Sequence, residues 1–415
     1  MDDRTDLADG GHHFDPEDPL PGPPDPWAAS PMPAPRIGPP YAMTEMIAAE
    51  PALTGRLLGR LVDRGSEAAG LAAGLATITL QGGSVRVVGC GTSEHAAMGA
   101  ACILGDAFRE AKLPRVEIAS QQAFETSLLP PALLRRGLTL AISHEGDTWA
   151  TNEALAAARA AEGRTALITA ARQAPGASLA DLLVATDELD QSWCHTVGYL
   201  SPLLVALAVA THLVGAGQPT EGARRLVTGA AGLGDQAAVI ATALAALDRV
   251  LIVGSGADWP AAHELALKIE EGAHLPATAR DLETLLHGHL AAADATAGLI
   301  VILADRTGRA RRAARARQVL TAAQAIGVPA GTIVAAGADA DLPASLTPLG
   351  RLVIPDGPDL PAAAAALLAT APALQLLAER LARTRGIDPD LLRRDEPAYR
   401  EAAARGRAVR SPGRC

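Results

Sequence analysis

Lysine is nearly missing from this chain. Of 36 basic residues only Lys112 and Lys268 are lysine, and the rest are arginine. The two are not chemically interchangeable, so a lysine retained at 268 marks a position where a compact ammonium matters. Aromatic residues make up 2% of the chain against 49% hydrophobic residues, so the core must be built from Ala, Leu, Val and Ile. The four cysteines, Cys90, Cys102, Cys194 and Cys415, are far apart and form no CxxC pair. That excludes a disulfide framework and a cysteine zinc site. A net charge of −10, with no basic run interleaved with aromatics, argues against a nucleic-acid surface. No N-terminal apolar stretch resembles a signal peptide, and the apolar helices read as too short or too interrupted to span a bilayer. A cytosolic protein without a membrane partner is expected.

Residues 1–40 lack apolar content of their own. They hold eleven prolines, eight acidic residues and two arginines. Such composition is expected to leave a disordered acidic tail, and His12 and His13 within it have no support as metal ligands. From Met43 the character changes. An amphipathic helix with an internal Pro51 and a second helix to about Gly83 lead into SVRVVGCGTSEHAAMGAACIL, which reads as strand, glycine turn, helix. RVEIA, LTLAISH, a helix over 148–162, TALITA, LLVATDE and an apolar helix over 198–215 follow. After an Ala-rich stretch, DRVLIVGSGADWPAAHELALKI repeats the opening pattern about 165 residues later. GLIVILAD, an Arg-rich helix over 307–325, AGTIVAA, RLVIPD and a helix over 360–384 complete the second half. Alternating strands and helices of this length imply parallel sheets covered on both faces. The expected fold is α/β: two tandem doubly wound, flavodoxin-like domains. Their expected extents are 41–217 and 248–385, joined by a connecting helix over 218–247 and followed by a tail over 386–415.

Lys268 to His289 holds the densest chemistry. Lys268 and Glu271 share one face of a helix, and His287 closes the stretch, so an ammonium, a carboxylate and an imidazole lie within about twenty residues. They could form a proton-transfer set, or, with Glu264, an ordinary salt-bridged helix face. In parallel sheets ligands bind at the carboxyl ends of strands. Three turns sit there: Gly91-Thr92-Ser93; Ser143-His144-Glu145-Gly146 through Thr148; and Cys194-His195-Thr196. Their hydroxyls suit an anion or polyol, yet Thr92, Ser93 and Thr148 are also what simple helix caps would be. GCGTS contains no G-x-G-x-x-G, so it is not a dinucleotide fingerprint. No cofactor and no metal is expected.

In order, EMIAAEP, GCGTS, SHEGDT, DQSWCHT, GSGADWPAAHELALKIEE and LHGHLAAAD resemble the tandem sugar-isomerase (SIS) domain family. That family includes the isomerase half of glucosamine-6-phosphate synthase and related deaminases and deglycases. The resemblance covers roughly residues 43–390. It implies a phosphosugar-binding role for Thr92 and Ser93 and for Ser143 to Thr148, and places His195 where the family often has a serine near the sugar. It implies that Glu271 moves a proton between C1 and C2 beside Lys268. It also implies that His287 assists ring opening from a neighbouring subunit, hence a homodimer acting on a sugar or sugar phosphate.

Two departures stand out. Glu145 replaces a serine usual in the second turn, and a carboxylate beside a phosphate costs on the order of 1 kcal/mol unless it points away. Either backbone N–H groups still hold a phosphate, or the substrate carries an amine or no phosphate there. The family's C-terminal Schiff-base lysine has no counterpart after residue 385, which leaves Lys268 for any imine, provided its pKa is depressed. Arg393, Arg394 or Tyr399 could close the site instead. The expected activity is metal-free aldose–ketose isomerisation or deamination, without a glutaminase domain. The competing expectation is a non-catalytic phosphosugar sensor.

Overall fold

The computed structural model describes residues 14–113, 118–215 and 217–408. Short Val-, Leu- and Ile-rich runs form most strands, the edge strands over 118–122 and 277–281 excepted, and Ala-rich runs form the helices. The first half contains α1 (Ala42–Leu61), α2 (Glu67–Leu80), β1 (Val85–Gly89), α3 (Thr92–Glu110), β2 (Ile118–Gln122), α4 (Ala123–Ser127) and α5 (Pro131–Leu134). It continues with β3 (Leu138–Ile142), α6 (Trp149–Ala160), β4 (Arg164–Thr169), β5 (Leu182–Ala185) and α7 (Val197–Val214). The expected connecting helix is two helices, α8 (Thr220–Ala231) and α9 (Gly234–Leu244), broken at Gly232-Leu233. The second half holds β6 (Arg249–Gly254), α10 (Asp258–Ala273), β7 (Ala277–Asp281), β8 (Ala297–Leu303), α11 (Arg309–Ala325), β9 (Ala330–Ala335) and α12 (Ala336–Asp339). It closes with β10 (Gly350–Ile354), α13 (Ala362–Thr384) and α14 (Pro397–Ala408).

The sheet orders are β2-β1-β3-β4-β5 and β7-β6-β8-β9-β10, with every pairing parallel. Both sheets thus have the same doubly wound order, whose switch point lies between β1 and β3 or between β6 and β8. One apolar cluster crosses from half to half through α3, α7, α10 and α13, and joins them into one body.

Two expectations need correction. α7 and α13 are long and apolar enough to cross a membrane, and both lie packed largely inside the protein. Their apolarity is used by neighbouring helices on all sides. Residues 14–40 are not disordered: they form an extended strap over the first half. Leu20 is buried against Met46, Ala49, Leu53 and Val197. The Leu189 N–H donates to the Pro21 carbonyl at 2.9 Å, and the Leu20 N–H to Glu188 at 2.9 Å. The strap has few apolar groups, but the surface beneath it supplies the rest. His12, His13 and Cys415 lie outside the described residues.

Candidate active site

α10 packs against α3 of the first half and carries Glu264, Lys268 and Glu271 on one face, as spacings of four and three require. Lys268 is 0% exposed, and its Nζ lies 2.5 Å from Oε2 of Glu271 and 3.6 Å from Oε1 of Glu264. Lysines are almost never fully buried unless paired, so this is no solvated salt-bridge face. Glu264 is held in turn by the other half. Nδ1 of His95 lies 2.7 Å from its Oε2, and the Thr92 hydroxyl donates to its Oε1 at 3.2 Å. Burial opposes the Lys268 charge, but Glu271 and Glu264 outweigh it and hold the ammonium above its ordinary pKa. That removes the depressed pKa an imine would need and fits a fixed cation instead. Glu271, 23% exposed, is the member facing open space, and burial raises its carboxyl while Lys268 opposes the rise. Burial likewise works against the Glu264 charge, but Lys268, His95 and Thr92 bring that carboxyl below its usual range.

The first and third turns border this cluster through Thr92, Cys194 and His195, and the second joins them through the His144–His195 ring pair. Gly91 has φ 57° and starts α3, leaving Thr92 free to bond Glu264 rather than cap the helix. Thr148 stands at the N-cap of α6, but its side chain makes no capping bond; the Ser143 hydroxyl donates to it at 3.4 Å. Gly146 has φ 73°, and a Cβ there would meet Ala174 at 2.6 Å, so the turn requires glycine. The simple-cap alternative therefore does not describe Thr92 or Thr148. Ser93 lies partly buried in the first turn of α3.

His144 and Thr196 use polar atoms inside the protein. His144 Nε2 accepts the Asp190 N–H at 2.9 Å. The Asp190 carboxylate accepts the N–H groups of Ser192, Thr196 and Gly198 at 3.1, 2.6 and 3.1 Å, and so shapes the turn that carries Cys194 and His195. The His144 and His195 rings are 5.0 Å apart. Burial lowers His144 to about 3, aided by His195, and lowers His195 to about 4, aided by Lys268. Both are neutral imidazoles. Glu145 accepts the Ser30 N–H of the strap at 3.3 Å.

Within one chain the structure does not bring His287 to Lys268 and Glu271. Its ring is 68% exposed and bonds Glu283, which Arg315 also holds. In the tail, Arg394 lies over the Trp193 ring at 4.6 Å, whereas Arg393 stacks on Tyr399. His263 is wedged partly buried against Trp259 and His95. His274 caps α10 in a left-handed conformation. Sequence reasoning did not single out His95 or Asp190. His95 stands one helical turn after Thr92, a spacing that places both on one face. Among the described residues, no group of three or more His, Cys, Asp or Glu side chains is placed to hold a metal ion.

No family model matches the chain. It is 31% identical over 231 residues to a glutamine–fructose-6-phosphate aminotransferase (isomerizing) of Zymomonas mobilis, covering 52% of this chain and 37% of that protein. To the Mycolicibacterium smegmatis enzyme of the same name it is 30% identical over 327 residues, covering 74% and 49%. The chain thus spans half or less of these relatives' length. Among solved structures, it resembles the C-terminal domain of glucosamine-fructose-6-phosphate aminotransferase from Francisella tularensis, with TM-score 0.74, 21% identity and coverage of 86% and 99%. It also resembles tagatose-6-phosphate ketose/aldose isomerase from Escherichia coli, with TM-score 0.66, 16% identity and coverage of 87% and 97%. For glucosamine-6-phosphate deaminase from Thermotoga maritima the values are 0.58, 20%, 78% and 95%. The chain thus has the fold of two tandem sugar-isomerase (SIS) domains and is similar in sequence to part of the glutamine–fructose-6-phosphate aminotransferases.

Proposed function

We propose that the protein transfers a proton between C1 and C2 of a sugar phosphate, as an aldose–ketose isomerase or as an amino-sugar-phosphate deaminase. The observation that carries this reading is the buried Lys268–Glu271 pair, 2.5 Å apart. Glu271 removes the proton bound to one carbon and returns it to the neighbouring one. Its raised pKa keeps it basic enough to take the proton and acidic enough to give it back. Charge that develops on the enediolate oxygen is met by the Lys268 ammonium, which Glu264 and His95 fix in place. If the substrate carries nitrogen at C2, the same transfer gives an imine at C2. Water then adds there and ammonia leaves. The similarity to isomerases and a deaminase of sugar phosphates supports the substrate class.

In this reading His287 works across a homodimer and opens the sugar ring in the partner's site; its exposure in the single chain is consistent with that task. Proton NMR in D2O tests the proposal, with aldose and ketose phosphates, 2-amino sugar phosphates and their unphosphorylated forms, and with released ammonia assayed alongside. Deuterium entering at C1 or C2 of a phosphorylated sugar is the expected result. No exchange on any member of the panel would contradict it.

A further inference from the structure

The turn after β3 is poor ground for a phosphate as its side chains stand. Glu145 and Asp147 lie on it, and Glu94 follows the first turn. A mobile carboxylate at 145 would repel a dianion from the open N-terminus of α6, whose first N–H groups have no partner within the helix. The strap bears directly on that carboxylate. It is pinned at one end by Leu20 and by the Pro21–Leu189 bond. At the other end the Arg36 N–H donates to Asp388 at 3.1 Å, and its guanidinium grips Glu45 at 2.7 Å. Between these anchors the strap carries six prolines in residues 23–35, so it holds an extended path and offers few backbone donors. One of the remaining donors, the Ser30 N–H, is spent on Oε2 of Glu145 at 3.3 Å.

We propose that the strap is a specificity element: by tying the Glu145 carboxylate to the Ser30 N–H, it keeps that charge from a phosphate docked at the turn after β3. Ser30 and Glu145 are positioning residues in this assignment; neither touches the reacting carbons. The assignment rests on the reading that a phosphosugar docks at this turn. It also gives a task to a 27-residue segment with so little apolar surface of its own, whose anchors at Leu20 and Arg36 bracket Ser30.

The test compares Ser30→Pro, Glu145→Ser and the double variant in the full chain. Proline removes the N–H in a segment that is already proline-rich and leaves both anchors in place. Affinity for inorganic phosphate is measured by calorimetry, and KM is measured for the responding sugar with and without its phosphate. Ser30→Pro is expected to weaken phosphate binding about fivefold or more, the equivalent of one charge-assisted hydrogen bond. KM for the phosphorylated sugar should rise in step, and KM for the unphosphorylated form should not. In the Glu145→Ser background, Ser30→Pro is expected to change nothing, because no carboxylate remains to restrain. Native affinity in Ser30→Pro would overturn the proposal. So would tighter binding, which would make the strap a barrier. If neither the native protein nor Glu145→Ser binds phosphate, the phosphosugar reading itself falls and takes the proposal with it.

Discussion

A lysine with no exposed surface survives only if its charge is matched, and Lys268 is matched by Glu264 and Glu271. Lys268→Met would leave two carboxylates without their cation. It is expected to destabilise the fold by about 3–5 kcal/mol in urea unfolding, the range for breaking a buried pair. A loss below about 1 kcal/mol would mean that the pair behaves like an exposed one. The spacing of these three residues was legible in the sequence; their burial was not. Glu264 is fixed by His95, 169 positions away on α3, and contacts between distant elements leave no periodic trace. His144 gives a second prediction. Its folded pKa is about 3 against an ordinary 6.5, so the unfolded chain takes up this proton well before the folded one does. The stability of the neutral form is present above pH 6.5 and is lost as pH falls toward 3. Relative to His144→Gln, the native protein should lose up to about 1.4 kcal/mol per pH unit in that window, with His195 and Asp190 common to both proteins. Equal pH profiles for the two would contradict the assigned burial.

At the scale of elements, the periods of strands and helices predicted most of the secondary structure but missed β7, and the first two turns follow β1 and β3 directly while Cys194-His195-Thr196 lies well beyond β5. The strap is where composition misled. A count of apolar residues within 1–40 measures what that segment can bury by itself. It does not register that Leu20 completes a patch already formed by Met46, Ala49, Leu53 and Val197. The two ends of the chain also meet. Asp390, from the C-terminal segment, accepts the N–H groups of Ala42 and Met43 at 2.7 and 2.8 Å and so caps α1 from outside the helix. Asp390→Ala is expected to cost about 1–2 kcal/mol, the usual worth of such a cap, with an unchanged urea m-value. An unaffected midpoint would show that α1 needs no help from the C-terminal segment. Sequence could not suggest this bond, because a capping residue is normally sought next to the helix it caps.

For the molecule as a whole, duplication is plain in the sequence and in the matching strand orders, but the two halves tie their strand-end turns with different side chains. In the second half Asp305 accepts the Ala257 N–H at 3.1 Å, Arg312 bonds Ser255 at 2.5 Å, and Asp258 accepts the N–H groups of Ala304 and Asp305. Side chains thus bridge the turns after β6 and β8, and burial with Asp305 raises Asp258 to about 8. This asymmetry could not be read from two similar strand–turn–helix motifs, because it depends on how acidic side chains fold back onto the turns. In the proposed homodimer, two subunits would complete two sites. If His287 crosses the dimer, inactive Glu271→Gln and His287→Ala proteins should recover activity when unfolded together and refolded, since a hybrid holds one intact site. No recovery would place both residues in the same subunit's site. The central claim is that Glu271 carries the proton, and the most direct measurement is deuterium incorporation from D2O into the responding sugar by native protein and by Glu271→Gln. Exchange that falls by about a thousandfold while phosphate binding stays native agrees with a general base at 271. Exchange at the native rate in Glu271→Gln would contradict it.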